Sequence, residues 1–518
     1  MNVHSSSAEL TRIGPHGLRA RMASLTLAEA GTISTFATVG LLAVRPTSDP
    51  DKFWHLATGR WIWENGRIPK TDPFSWTTPG RNWVAHEWLT EAVWFRIYQL
   101  AGWMGLAILS AVIIMTALLL TYRSLRSLGA SALSSNALIL TGALASLVTW
   151  GVRPQMLSFL LVALVCRLTI QAWHTSFHNA PGAAAHRTRL WLLVPVMLLW
   201  ANAHGAYLFG IALLGAFAVG LTLDHLLALS TSYRNFRKLS TPRGDTQLIR
   251  TSWAVTTACI AVTLVNPHGV AGLMYPFSYL GDNASTRYVA EWFAPNFGEA
   301  RFWPFAVVLG LSALALVRLR RVIPLFAIIQ IIALAGLGLQ SARNITPFVA
   351  VALPWIGLSL RRNKEAQTIT KPKSAGAIHT GLAVTVVAVF GALGAPSIKS
   401  SAVDANDAKH FPRSATTWIG SNPRPRMLNQ YDWGGYFILN LPEVPVSVDG
   451  RPDMYGDPFM DRYVSIWRVH TGWERRLDED GYERVVGAPQ APIVRELRSR
   501  PGWRVVYEDA QAVVLDRL

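Results

Sequence analysis

Long apolar runs recur along this 518-residue chain, separated by short polar turns. A helix needs about 20 apolar residues to cross the hydrocarbon core of a bilayer. Runs of about that length predict eleven helices, near 25–45, 104–122, 132–150, 156–174, 190–203, 206–228, 252–266, 302–318, 322–340, 344–360 and 377–395. The pattern breaks twice. Residues 46–103 mix aromatic and ionisable positions and read as a long loop. From residue 397 the apolar runs are short (Tyr436–Leu441, Val444–Val448, Trp503–Tyr507, Ala512–Leu515) and alternate with helix-compatible stretches at Asp461–His470 and Ala491–Arg500. That alternation predicts a small α/β domain. The expected fold is mainly α: an N-terminal segment 1–24, a transmembrane bundle over 25–396 that includes the loop 46–103, and an α/β domain over 397–518.

Composition agrees: 51% of residues are apolar and 15% charged, too apolar a balance for an ordinary soluble protein. Cys166 and Cys259 both fall in apolar runs, so no disulfide framework is expected. The net charge of +17 is uneven, because residues 401–518 carry 15 Lys and Arg against 17 Asp and Glu. A basic excess confined to the membrane half reflects topology rather than nucleic acid. Arg123 and Arg126, Arg187 and Arg189, Arg234 to Arg250, Arg318 to Arg321, and Arg361 to Lys373 follow every second helix. By the positive-inside rule these loops are cytoplasmic. The N-terminus is then cytoplasmic, and the loop 46–103 and the tail lie on the periplasmic or extracellular face of an inner membrane.

This topology gathers the unusual polar residues on the outer side. Asp49, Asp51, His55, His86 and Glu87 lie in the first loop. Arg153, Asn202 with His204, Asn266 with His268, and Arg343 with Asn344 lie in four further outer turns. Ionisable groups at membrane depth are costly and face a cavity or a partner, so the set predicts one shared, anion-friendly cavity. The competing reading makes the arginines interfacial anchors. The stretch Asp49–Trp94 holds seven Trp, which suit either an interfacial belt or stacking on sugar rings. P-loop, GxSxG, HExxH and CxxC motifs are missing, and the His spacing is not diagnostic of a metal site.

The segment DPDKFWHLATGRWIWENGRIPKTDPFSW resembles the first outer loop of bacterial GT-C glycosyltransferases, membrane enzymes that use polyprenyl-phosphate-linked sugars. NQYDWGGYFILNLPEVPVSVDGRPDMYG resembles the outer domain of poorly characterised bacterial members. Tyr431-Asp432-Trp433-Gly434-Gly435-Tyr436 is similar to the WWDYG motif of oligosaccharyltransferases, but the order is altered and the paired Trp is missing. Recognition of a peptide sequon therefore does not carry over. The resemblance implies that an Asp just after the first helix is the catalytic base, with Asp51 the first match and Asp49 the second. It also implies inversion at the anomeric carbon. A departing phosphate needs cations and hydrogen-bond donors, for which Arg153, Arg343, His204 and His268 are the candidates. His55, His86, Glu87, Asn202, Asn266 and Asn344 are further cavity candidates.

The expected function is transfer of a sugar from a polyprenyl-phosphate donor to an outer-face glycan, lipid or protein in the cell envelope. Membrane lipid is an expected partner and nucleic acid is not. These residues fix no cofactor, and a divalent metal is left open. The alternative is a non-catalytic membrane protein, either a transporter or a component of surface-polysaccharide assembly. A transporter should place its ionisable residues near mid-membrane, whereas here nearly all sit at outer helix ends.

Overall fold

The computed structural model describes residues 25–44, 49–237, 245–279, 281–361, 375–394, 396 and 399–518. The N-terminal segment 1–24 and several of the loop cations expected on the inner side, including Lys238, Arg243, Lys364, Lys371 and Lys373, lie outside the described residues. Each of the eleven apolar runs forms a helix. In chain order the longer helices up to residue 394 are α1 (Leu27–Ala43), α2 (Asp51–Asn65), α3 (Trp88–Ser127), α4 (Ala132–Ser146), α5 (Gln155–Phe177), α6 (Leu193–Ala203) and α7 (Tyr207–Leu227). They continue with α8 (Thr246–Val262), α9 (Trp303–Leu319), α10 (Leu325–Gln340), α11 (Ile345–Ser359) and α12 (Ala375–Gly394). Among the described residues, five helical stretches are long and apolar enough to cross a membrane: Trp88–Ser127, Ala132–Thr149, Gln155–Phe177, Tyr207–Leu227 and Ala300–Leu319. Leu27–Ala43, Leu325–Gln340 and His379–Gly394 are apolar but shorter. The chain is a multi-pass membrane protein.

The bundle core is aliphatic and aromatic, with α11 at its centre: fourteen of its fifteen residues are buried, Trp355 and Phe348 among them. Helix ends sort by chemistry. The C-terminal ends of α3, α5, α7, α9 and α11 lead into the arginine-bearing turns. The opposite ends carry the carboxylates and histidines described below.

Two departures from the sequence pattern matter for the site. First, the expected loop 46–103 is largely helical. Helix α2 starts after Pro50 and closes at Gly66, whose left-handed backbone (φ 62°) no β-carbon opposes. All of Lys52–Gly59 is buried. The absence of an apolar stripe hid this helix, because it is buried on several sides by aromatic and polar partners rather than by lipid. Second, α3 begins sixteen residues before the expected 104 and runs through Gly102, whose φ of 58° and ψ of −156° kink it. Its first half belongs to the polar end of the bundle.

Residues 399–518 form a mixed four-stranded sheet with flanking helices, in the order β1 (Met427–Asn429), β2 (Arg484–Gly487), β4 (Val513–Arg517), β3 (Trp503–Glu508). β1 pairs with β2 in parallel, and the other pairs are antiparallel. The run Tyr436–Leu441 is part of a helix, Gly434–Asn440, and Val444–Val448 joins no ladder of that sheet. Instead Ser75 bridges Val446, with Trp76 N donating to Val446 O at 3.1 Å. One hydrophobic core spans both regions: Phe53, Trp54, Ala57 and Trp83 pack with Phe411, Phe437, Val448 and Tyr455.

Candidate active site

Asp49 and Asp51 flank Pro50 at the start of α2. The Asp49 carboxylate accepts the backbone N–H of Asp51 at 3.0 Å, which fixes the turn. Arg153, in the turn before α5, binds Asp49 through Nε and Nη2, the latter at 2.8 Å. Its Nη2 also lies 3.4 Å from Asp51 Oδ2, and its Nη1 binds Glu291. Arg343, before α11, reaches the other oxygen of Glu291 at 3.5 Å and lies over the Trp292 ring at 4.2 Å. The structure thus brings Asp49, Asp51, Arg153 and Arg343 into one chain of charges through Glu291, a residue not singled out from sequence. Arg153 is shared among three carboxylates rather than free.

Asp51 differs from Asp49 in exposure: 22% of its side chain is accessible against 6%. Trp54 Nε1 donates to Asp51 Oδ1 at 3.1 Å. Burial pushes the Asp51 carboxyl up to about 7, against the pull of Arg153 and with help from Asp49 and Glu291. A carboxyl near neutrality, on a group that solvent or substrate can reach, is what general acid–base work needs.

A second cluster begins one turn along α2 and centres on Glu87. Glu87 Oε1 lies 3.3 Å from His204 Nε2 and 3.6 Å from His86 Nε2, and Oε2 lies 3.4 Å from His55 Nδ1. His55 Nδ1 is also 3.0 Å from Glu91 Oε1. Burial opposes the charge on Glu87, but His55, His86 and His204 hold it well below the usual carboxylate range. Burial likewise opposes charging His55, yet Glu87 and Glu91 raise it above its ordinary value. His204 goes the other way, pushed by burial down to about 3 despite Glu87. Its Nδ1 accepts the Ala206 N–H at 3.2 Å, so Nε2 carries the proton toward Glu87. Gly59 makes this cluster possible: a β-carbon there would fall 2.1 Å from Glu91 O, so only glycine lets α2 lie this close to α3.

The tail closes over the first cluster. A β-carbon on Gly450 would meet Asp51 Oδ1 at 2.2 Å, which explains the glycine of the DGRPD segment. Tyr431 is half-buried, and its desolvation, together with the charges of Asp51 and Asp449, pushes its phenol well up. Asp449, Arg451 and Asp72 form a separate staple between tail and first loop, with Arg451 Nη2 2.6 Å from Asp449 and 3.0 Å from Asp72. Asp453 accepts the Tyr275 hydroxyl at 2.7 Å, and Tyr275 stacks on His86 at 4.0 Å.

The remaining candidates are turn-builders in this structure. Asn202 accepts Trp88 Nε1 at 3.1 Å and donates to Val265 O at 2.9 Å. Asn266 accepts the His268 N–H at 2.8 Å. His268 sits at the backbone of Ala85, its imidazole pushed down by burial. Asn344 donates to Leu337 O at 3.2 Å and joins neither cluster. Glu91, Glu291, Tyr275 and Asp453 went unnoticed in the sequence. Only Glu91 had a usable signal there, four residues after Glu87 and so on the same helical face.

No known protein-family profile matches the chain, and no curated protein matches it. Solved structures do. The Archaeoglobus fulgidus oligosaccharyltransferase in its apo form aligns at 12% identity with a TM-score of 0.53, over 88% of this chain and 69% of that one. AglB from the same organism, in complex with an inhibitory peptide and a dolichol-phosphate, aligns at 12% identity and TM-score 0.52 over the same shares. ArnT from Cupriavidus metallidurans, bound to undecaprenyl phosphate, aligns at 16% identity and TM-score 0.49 over 97% of this chain and 98% of that one. Identities this low speak to architecture alone, and by architecture the chain shares the fold of the archaeal oligosaccharyltransferase.

Proposed function

We propose that this protein is an inner-membrane glycosyltransferase that moves a sugar from a polyprenyl-phosphate donor to an acceptor hydroxyl at the outer face. The observation that carries this reading is Asp51: a reachable carboxyl near neutrality, beside a chain of guanidinium groups, at the polar end of the bundle. Asp51 takes the acceptor proton, the acceptor oxygen attacks the anomeric carbon, and the bond from that carbon to the donor phosphate breaks. Arg343 receives the departing phosphate, with Glu291 and Trp292 holding its guanidinium in place. The bound dolichol-phosphate of the AglB structure supports a polyprenyl-phosphate partner. The arginine-bearing turns support eleven spans with a cytoplasmic N-terminus, and residues 397–518 as an outer-face domain over the site.

The pairing of both arginines with Glu291 favours a second reading, a non-catalytic assembly component whose charges only hold the bundle end together. One assay separates the two. Wild type and Asp51→Asn are reconstituted in vesicles with polyprenyl-phosphate sugars, and release of free polyprenyl phosphate is followed. Release by wild type that Asp51→Asn lacks supports transfer. No release across donors carrying hexoses, pentoses and amino sugars leaves the assembly reading standing.

A further inference from the structure

The end of the bundle opposite Asp51 holds a cavity that sugar transfer does not use. It has a volume of about 520 Å³ and lies between the start of α1, the end of α3 and the start of α4. That size is within the roughly 300–1,000 Å³ of small-ligand sites. Arg126 and Glu29 both line it, as do Tyr122 and Thr32, and its apolar lining includes Leu25 and Ile33. Arg126 donates Nη1 to Ala130 O and forms no ion pair among the described residues. Capping the end of α3 accounts for that bond, but not for a carboxylate in the same cavity.

We infer that this cavity binds the headgroup of phosphatidylethanolamine from the membrane leaflet at that end. The headgroup is a phosphate diester joined by two carbons to a primary ammonium. Arg126 suits the phosphate, since a guanidinium presents several N–H donors in a fixed fork. Glu29 suits the ammonium. Its carboxylate is set in place by the capping box of α1, in which Thr26 N and Thr26 Oγ1 each donate to Oε2 at 2.8 Å. One cation and one anion in a single cavity match a headgroup that carries one of each. Phosphatidylglycerol has only the anion and meets Glu29 with like charge. Phosphatidylcholine has the cation but no N–H to donate.

The surroundings fit a lipid better than a free solute. Thr32 Oγ1 meets Tyr122 OH at 3.0 Å and donates to Asn136 Oδ1 at 3.2 Å, and the Phe36 ring meets Tyr122 edge-on at 5.9 Å, so the polar wall is fixed. Leu27 and Leu133, each next in sequence to a lining residue, are 64% and 81% exposed and give acyl chains an apolar surface. Basic pockets between membrane helices on the cytoplasmic side are recurrent headgroup sites. The arginine-bearing turn after α3 favours that side. The inference does not depend on sugar transfer: it needs only a bundle that spans the membrane.

The test uses the full chain, delipidated in detergent and followed by native mass spectrometry as phosphatidylethanolamine is added. Residues 1–24 are kept, so that they compete for the cavity. Wild type should take up one equivalent with saturable binding, at least about tenfold tighter than phosphatidylglycerol or phosphatidylcholine with the same acyl chains. Glu29→Gln still closes the capping box but loses the charge, and should bring the three lipids level. Arg126→Gln should weaken phosphatidylethanolamine binding by about tenfold or more, while Arg301→Gln, an exposed arginine at the other end of the bundle, should match wild type. Circular dichroism and a monodisperse elution profile confirm that each variant is folded. If a variant does not fold, wild type decides: phosphatidylethanolamine with a photoreactive carbene precursor beside its glycerol should cross-link to residues 25–33 or 122–132. The site is overturned by no saturable uptake, by equal affinity for the three lipids, or by a preference that survives Glu29→Gln. Binding unchanged in Arg126→Gln, an equal loss in Arg301→Gln, or cross-links only elsewhere would overturn it as well.

Discussion

Arg153 and Arg451 are both clamped by carboxylates, but they are clamped differently. The Arg451 side chain is 2% exposed, and those of its partners Asp449 and Asp72 are fully buried. Trp83 covers its guanidinium at 4.5 Å, and Tyr455 donates to Asp449 at 2.7 Å. Nothing from solution reaches that group, so its charge can only join tail to first loop. Arg153 is 20% exposed, and Asp51 and Glu291 beside it are 22% and 26% exposed. Its charges can be met by a ligand. The same pairing of guanidinium with carboxylates therefore serves as a staple in one place and as a tunable edge in the other, and access decides which.

The sharpest way to break this contrast is to neutralise one carboxylate at the open site. Asp51→Asn keeps size and hydrogen bonding but cannot accept a proton. Transfer should fall by about two to four orders of magnitude, with melting close to wild type. Near-normal transfer with a matched donor and acceptor would remove Asp51 from the mechanism. At the closed site the balance reverses. Arg451→Met leaves Asp449 and Asp72 buried without their cation and should cost about 3–5 kcal/mol of stability, read as a lowered unfolding midpoint. A midpoint like wild type would mean that the staple is not what joins the two regions.

pH gives a finer test of the open site. The Asp51 carboxyl is pushed up from its ordinary 3.8 to about 7, so the base form grows as pH rises through 7. Transfer should climb about tenfold per pH unit below that point and level off above it. Because Arg153 pulls this value down, Arg153→Gln should move the rise to higher pH. Stability should run the opposite way. A raised folded-state value means that stability is fully present below about 4 and is lost as pH climbs to about 7. Asp51→Asn should flatten both slopes, and a wild-type rate independent of pH from 5 to 8 would contradict the assignment.

The same difference in access explains what could be read from the sequence. The bundle was legible because each helix buries apolar residues against helices and lipid, and that leaves long runs such as 206–228. Arg153 and Arg343 stood out because ionisable groups at helix ends are rare. Helix α2 was not legible: its buried face includes Lys52, His55 and Thr58, satisfied by partners up to 355 residues away. Glu291 escaped because it sits in a three-residue turn, Ala290–Trp292, within an irregular segment that has no periodicity. The staple escaped because Asp72 and Arg451 meet only across the joint between the two regions.

The smallest expected effect tests what Arg343 does. Its guanidinium lies flat over Trp292 and meets Glu291 by one edge, at 3.5 Å. Roughly a fifth of the side chain is exposed, so an edge is left that a phosphate could meet. Arg343→Lys keeps the positive charge but loses the planar fork, which alone can contact ring, carboxylate and phosphate together. The donor concentration needed for half-maximal rate should rise by roughly tenfold or less, the worth of about one ordinary hydrogen bond. The rate at saturating donor should change little. If Arg343 only anchors the helix end to lipid, Lys serves as well and the two donor curves superimpose. That outcome would take Arg343 out of donor binding and leave its exposed edge to the lipid surface alone.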